Sequence, residues 1–98
     1  RHLSAPYFLA TKFEAFKDRG LGDVYLSHDL EDIITVVDGR AEAVAELAGA
    51  PTDVRRYVAN QVAALLEHPE FLNALPGIVA HSTRTGTVLQ RLQAIATL

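Results

Sequence analysis

Apolar side chains recur every three to four residues along almost the whole of this 98-residue chain. That spacing places them on one face of an α-helix, whereas a half-buried strand requires strict alternation. Sustained alternation is absent from the sequence, and glycines and prolines divide the helical pattern into short segments. The sequence therefore predicts an all-α fold: a small irregular bundle of five to six helices, forming one domain over residues 1–98.

Caps and breakers set the expected helix boundaries. Pro6 suits the first turn of a helix, and Gly20 suits the position just after its end. We expect helices over residues 6–19, 28–38, 40–48 and 52–67, a short helix between Pro69 and Pro76, and a last helix reaching Thr97. Their expected buried stripes are Leu9, Phe13 and Phe16; Leu30, Ile33, Ile34 and Val37; Val44, Leu47 and Ala48; Val54, Val58, Val62, Leu65 and Leu66; Phe71, Leu72 and Leu75; and Val88, Leu92 and Ile95.

Composition excludes several classes of protein. The net charge is −3 and the nine basic residues are scattered among acids, so the basic face typical of nucleic-acid binding is missing. Without cysteine, the chain can form neither disulfides nor thiolate metal sites. No apolar run approaches the roughly 20 residues of a membrane span. We therefore expect a cytoplasmic protein that does not contact membranes.

Two basic residues share one face of the first predicted helix. Lys12 and Arg19 are seven residues apart, which is nearly two helical turns. An ammonium group and a guanidinium group in this arrangement can contact phosphate. The same spacing also fits a solvated face on which Lys12 pairs with a nearby glutamate. Both interpretations remain open from spacing alone.

Two aspartates lie near the start of the second predicted helix. Asp29 and Asp32 are three residues apart and share a face that differs from the buried stripe. They could handle a metal or a proton. They could equally compensate the positive end of the helix dipole, as acids do on many helices.

Motifs of several other chemistries are absent from the sequence. No two histidines are spaced for joint metal binding on a helix, and no H-E-x-x-H, G-x-S-x-G, P-loop or G-x-G-x-x-G motif occurs. We therefore expect no metal site built from this chain alone.

The run Lys12-x-x-Ala15-x-x-x-Arg19, followed by Asp29-x-x-Asp32-Ile33, resembles the C-terminal part of AbiEii-type nucleotidyltransferases. The resemblance covers roughly residues 4–40. It implies that Lys12 contacts phosphate and that Asp29 or Asp32 is a helical carboxylate near the metal site. Arg19 would brace that carboxylate or contact phosphate. Which aspartate faces the site stays open.

The resemblance also implies an upstream nucleotidyltransferase domain that carries a Gly-Ser-like loop and a Mg²⁺-binding D-x-D pair. Neither feature occurs in this sequence, so we expect a fragment that is inactive by itself. The full-length protein would transfer a nucleotidyl group from an NTP with Mg²⁺, as the toxin of a toxin–antitoxin pair with an antitoxin partner. Its charge does not favour a nucleic-acid acceptor. The alternative is a non-enzymatic helical protein-interaction module.

Two structural expectations concern the first helix. Its side chains Tyr7, Phe8, Leu9, Phe13 and Phe16 offer more apolar surface than one small core needs, so we expect an open face that forms a homo-oligomer. The second helix should pack its apolar stripe against the first. That packing would bring Asp29 or Asp32 within salt-bridge reach of Lys12 or Arg19.

Overall fold

The computed structural model describes residues 4–20 and 28–98, without the side chains of residues 17–20. Within these ranges the chain is helical and contains no strand, which confirms the all-α prediction there. The elements are α1 (Ala5–Gly20), α2 (His28–Gly39), α3 (Ala43–Ala48), α4 (Thr52–Leu66), α5 (Pro69–Ile78), a 3₁₀ turn (Ser82–Arg84) and α6 (Thr85–Ala96). None of these helices is long and apolar enough to cross a membrane.

One hydrophobic core receives side chains from all six helices. The stripes predicted for α1, α2 and α6 are buried as expected, with Leu9, Ile33 and Leu92 fully inaccessible. Each fully buried aliphatic or aromatic side chain stabilises the fold by roughly 1.5–3 kcal/mol relative to an exposed one. The core therefore fixes α1 and α2 against each other and against α6.

The open face on α1 is narrower than the sequence predicts, because three of its five apolar side chains are buried. Leu9, Phe13 and Phe16 lie inside the core, because α2 packs over them. Only the outer part of the aromatic group remains accessible: Tyr7 is 45% exposed and Phe8 is half-buried. The surface available for a homo-oligomer through α1 is correspondingly small.

Helix α3 begins three residues later than the sequence predicts, at Ala43 instead of Arg40. The Arg40 amide still donates to the Val36 carbonyl at 3.0 Å, so this residue completes the last turn of α2. The later start changes which face of α3 is buried. Ala43 and Leu47, one turn apart, enter the core, whereas Ala48 is exposed.

Helix α5 passes through Pro76, which was expected to end it. The helix continues to Ile78, and the Val79 amide donates to the Leu75 carbonyl at 3.0 Å. A proline is tolerated here because only the last turn follows it, so few backbone hydrogen bonds are lost. The buried face contains Phe71 and Leu75, and Leu72 is turned outward at 42% exposure.

Candidate functional site

The packing of α1 on α2 brings together three of the four charged residues predicted to form a site on these helices. The Lys12 Nζ atom lies 2.7 Å from an Asp32 carboxylate oxygen and 3.7 Å from an Asp29 carboxylate oxygen. We call these three residues the Lys12 cluster. The predicted acid–base contact between the helices is therefore confirmed, and both aspartates take part in it.

The two aspartates differ in burial. Asp29 is only 7% exposed, whereas the Asp32 side chain is 47% exposed. Leu30 is fully buried in the core. Asp29, its neighbour in the first turn of α2, is buried between α2 and α1. Burial of a carboxylate costs free energy unless opposite charge compensates it. Lys12 and the positive end of the α2 dipole provide that compensation.

The environment of Lys12 keeps its side chain protonated. The hydrogen bond to Asp32 raises the pKa of Lys12 above its ordinary value of 10.5, and the negative charges of Asp32 and Asp29 act in the same direction. The ammonium also lies 5.6 Å from the centroid of the Phe8 ring, within cation–π range. At neutral pH the Lys12 side chain is thus a positioned cation and not a proton acceptor.

The raised pKa of Lys12 predicts an effect of alkaline pH on stability. Because the folded pKa is higher than the unfolded pKa, the stabilisation is complete below pH 10.5 and is lost as pH rises through the folded value. We expect the wild type to have a higher urea midpoint than Lys12→Met at neutral pH. The two midpoints should converge as pH rises above the pKa of Lys12 in the folded protein. A constant difference across the titration would contradict the coupling.

The opposite end of α2 is held by two arginines. Arg91 on α6 donates from Nη1 to the carbonyl oxygens of Val37 and Asp38, at 2.9 and 2.7 Å. Arg84 donates from Nε to the Asp38 carboxylate and from Nη2, at 3.3 Å, to the Asp38 carbonyl. Cations at this position satisfy the last carbonyls of the helix and match the negative end of its dipole.

Helix α2 is therefore held electrostatically at both ends. The arginines hold its C-terminal end against α6, and Lys12 holds its N-terminal end against α1. The sequence analysis missed Arg84 and Arg91 because they lie 46 and 53 residues from Asp38 along the chain. No local pattern could have revealed contacts across that separation.

The Lys12 cluster does not by itself provide a magnesium site. Carboxylate oxygens are suitable ligands for Mg²⁺, but the Asp32 carboxylate already binds the Lys12 ammonium at 2.7 Å. Among the described side chains, those of residues 4–16 and 28–98, no group of three or more potential metal ligands occurs. In this chain, Asp29 and Asp32 are placed to hold Lys12.

Two features of the predicted site fall outside the described part of the chain. The Arg19 backbone belongs to α1, but its side chain is not described, so its contact with phosphate or a carboxylate stays a prediction. The connection over residues 21–27 also lies outside that part.

Comparison of the chain with known protein families, curated proteins and solved structures finds no significant match. The functional argument therefore depends on the residues of α1 and α2 and on their geometry. The sequence resemblance over residues 4–40 stays a prediction.

Proposed function

We propose that this chain is the helical C-terminal portion of a nucleotidyltransferase, in which Lys12 neutralises phosphate charge on a bound NTP. The observation that carries the proposal is the approach of Lys12 to Asp32 and Asp29, at 2.7 and 3.7 Å. These three residues come from two helices, and they are residues that the AbiEii-type resemblance assigns to the site. The D-x-D carboxylates that bind Mg²⁺ would come from an upstream domain.

The role of Lys12 follows from its protonation and its donors. A lysine ammonium has three N–H donors, and the hydrogen bond to Asp32 uses one of them. Asp29, at 3.7 Å, acts on the ammonium mainly through its charge and more weakly through a side-chain contact. A donor can then meet a phosphate oxygen without rearrangement of the cluster. A fixed cation of this kind stabilises the charge that develops during phosphoryl-type transfer.

The burial of Asp29 favours this proposal over an ordinary surface ion pair. Arg40 and Glu46 form such a pair at 2.7 Å, with side chains that are 52% and 31% exposed. The Lys12 cluster differs because two acids converge on one lysine and the Asp29 side chain is only 9% exposed. Placing a carboxylate in a helix seam to hold a lysine is costly for a purely structural role.

The proposal extends to partners and location. The full-length protein would act in the cytoplasm as a toxin that an antitoxin restrains, and this chain would contact its own upstream domain. Without that domain the chain has no catalytic activity. A non-enzymatic interaction module is the alternative that the following experiment separates from the enzyme.

The test compares two aspartates that hold the same position in their helices. Asp29 is the second residue of α2, and Asp53 is the second residue of α4, where it is exposed. Full-length protein is incubated with each radiolabelled NTP and Mg²⁺, and label transfer to RNA and protein acceptors is measured. We expect Asp29→Asn to lower the transfer rate by roughly 100-fold, because Lys12 loses the buried charge that helps to fix its position and keeps only Asp32.

The Asp53→Asn variant is the matched control, because it removes the same charge from the first turn of a helix. We expect it to transfer label at the wild-type rate. No transfer by the wild type with any NTP would reject the enzyme and favour the interaction module. Equal transfer rates for both variants would reject the role of Asp29 in holding Lys12.

A further inference from the structure

A groove of about 170 Å³ lies beside the Lys12 cluster, between the start of α1 and the end of α2. Its walls are Ala5, Phe8, Val36 and Arg40, and we call it the α1–α2 groove. Phe8 precedes Lys12 by one helical turn, so the two side chains are neighbours on one helix face. The groove and the ammonium group therefore lie along one continuous seam between the helices.

The walls of the groove suit a neutral ring better than an anion. Three of the four walls are apolar side chains: Ala5, which is buried, and Phe8 and Val36, which are half-buried. The Arg40 guanidinium donates to both oxygens of Glu46, at 2.8 and 2.7 Å. That pairing holds the guanidinium plane in one orientation. A flat guanidinium and an aromatic ring are both surfaces on which planar ligands stack.

The size of the groove restricts its ligand further. Pockets that enclose a complete drug-sized ligand occupy about 300–1,000 Å³, and this groove is smaller. It can hold one planar ring system while the rest of the molecule lies outside. The Lys12 ammonium lies 5.6 Å from the Phe8 centroid. A charged group attached to a ligand ring that stacks on Phe8 would therefore reach the Lys12 cluster.

We propose that the α1–α2 groove binds the nucleobase of the NTP, with Phe8 as its aromatic wall and Lys12 at the phosphate end. This inference rests on the proposed function and names the part of the substrate that the groove takes. The apolar walls stack on any base, and Glu46 engages two of the five Arg40 N–H donors. The groove therefore accepts all four bases with little discrimination.

The experiment separates base binding from phosphate binding in the full-length protein with Mg²⁺. We expect Phe8→Leu to raise KM for ATP about tenfold, because the stacking surface is lost. The kcat should stay within about twofold, since the base makes the same contacts in the ground state and transition state. Phe8→Trp keeps an aromatic wall and should restore the wild-type KM. Tyr7→Leu removes an exposed aromatic outside the groove and should change neither constant.

Inorganic tripolyphosphate is the probe for the phosphate end. Its inhibition constant should be unchanged in Phe8→Leu and should rise at least tenfold in Lys12→Ala. A second wall variant, Val36→Thr, keeps the side-chain shape but replaces one methyl group with a hydroxyl, and it should also raise KM for ATP. This variant provides the same test if Phe8→Leu does not fold.

Three results would overturn the inference. An unchanged KM for ATP in both wall variants would show that the base binds elsewhere. The proposed function would still stand if transfer depended on Lys12. If the inhibition constant of tripolyphosphate rose as much in Phe8→Leu as in Lys12→Ala, Phe8 would act only by positioning Lys12. Absence of transfer by the wild type would remove the proposed function and the base subsite together.

Discussion

Replacing Lys12 with alanine is expected to lower nucleotidyl transfer by the full-length protein about 100- to 1,000-fold. The fall should appear mainly in kcat, because a cation that meets developing phosphate charge acts more strongly in the transition state than in the ground state. The chain should remain folded, as circular dichroism would report, since the Lys12 side chain is 27% exposed and lies outside the core.

The size of this effect follows from how Lys12 is held. In the proposed reaction, Asp32 and Asp29 would fix the ammonium before the NTP binds, so no free energy would be spent on ordering it. Arginine at this position keeps the charge but has a longer and planar head group. We therefore expect Lys12→Arg to retain only part of the activity.

Arg56→Ala is the control for loss of a positive charge. Arg56 is exposed on α4 and lies outside both the Lys12 cluster and the α1–α2 groove. The variant should transfer nucleotides at the wild-type rate. Full activity in Lys12→Ala would contradict the proposed role and would leave the cluster as a solvated ion pair.

The second large effect concerns the core beneath the site. Replacing Phe13 with alanine is expected to lower the free energy of unfolding by about 3–5 kcal/mol. Phe13 is 1% exposed and belongs to the core that joins α1 to α2. Domains of this kind have a total stability of about 5–15 kcal/mol. The loss would therefore leave a substantial unfolded population at modest urea concentration.

Urea unfolding of the 98-residue chain, followed by circular dichroism, measures this loss. Tyr7→Ala removes an aromatic side chain from the same helix, but Tyr7 is 45% exposed. We expect its free energy of unfolding to stay within about 0.5 kcal/mol of the wild type. Similar losses in both variants would show that Phe13 is not part of a packed core.

Local patterns in the sequence were enough to predict much of the helical architecture. The 3.6-residue periodicity identifies the buried face of α2, because the period of a helix decides which side chains share a face. All four residues of its predicted stripe, Leu30, Ile33, Ile34 and Val37, are buried. The same reasoning predicted that Lys12 or Arg19 would meet Asp29 or Asp32 across the helix pair, and Lys12 does so.

Local patterns were insufficient where a residue's environment depends on its neighbours in space. The exposure of Leu72 and the passage of α5 through Pro76 depend on how α5 meets the rest of the core. Periodicity defines a stripe on a helix, but the contacts between helices decide how much of that stripe is covered.

The geometry of the candidate site was decided by tertiary structure. The sequence left open which aspartate meets Lys12, and packing placed both beside it while burying only Asp29. Arg84 and Arg91 hold the end of α2 across long separations in the chain, and the α1–α2 groove exists only where two helices meet. Such contacts depend on the relative placement of whole helices, which is set by the complete core and not by any local segment.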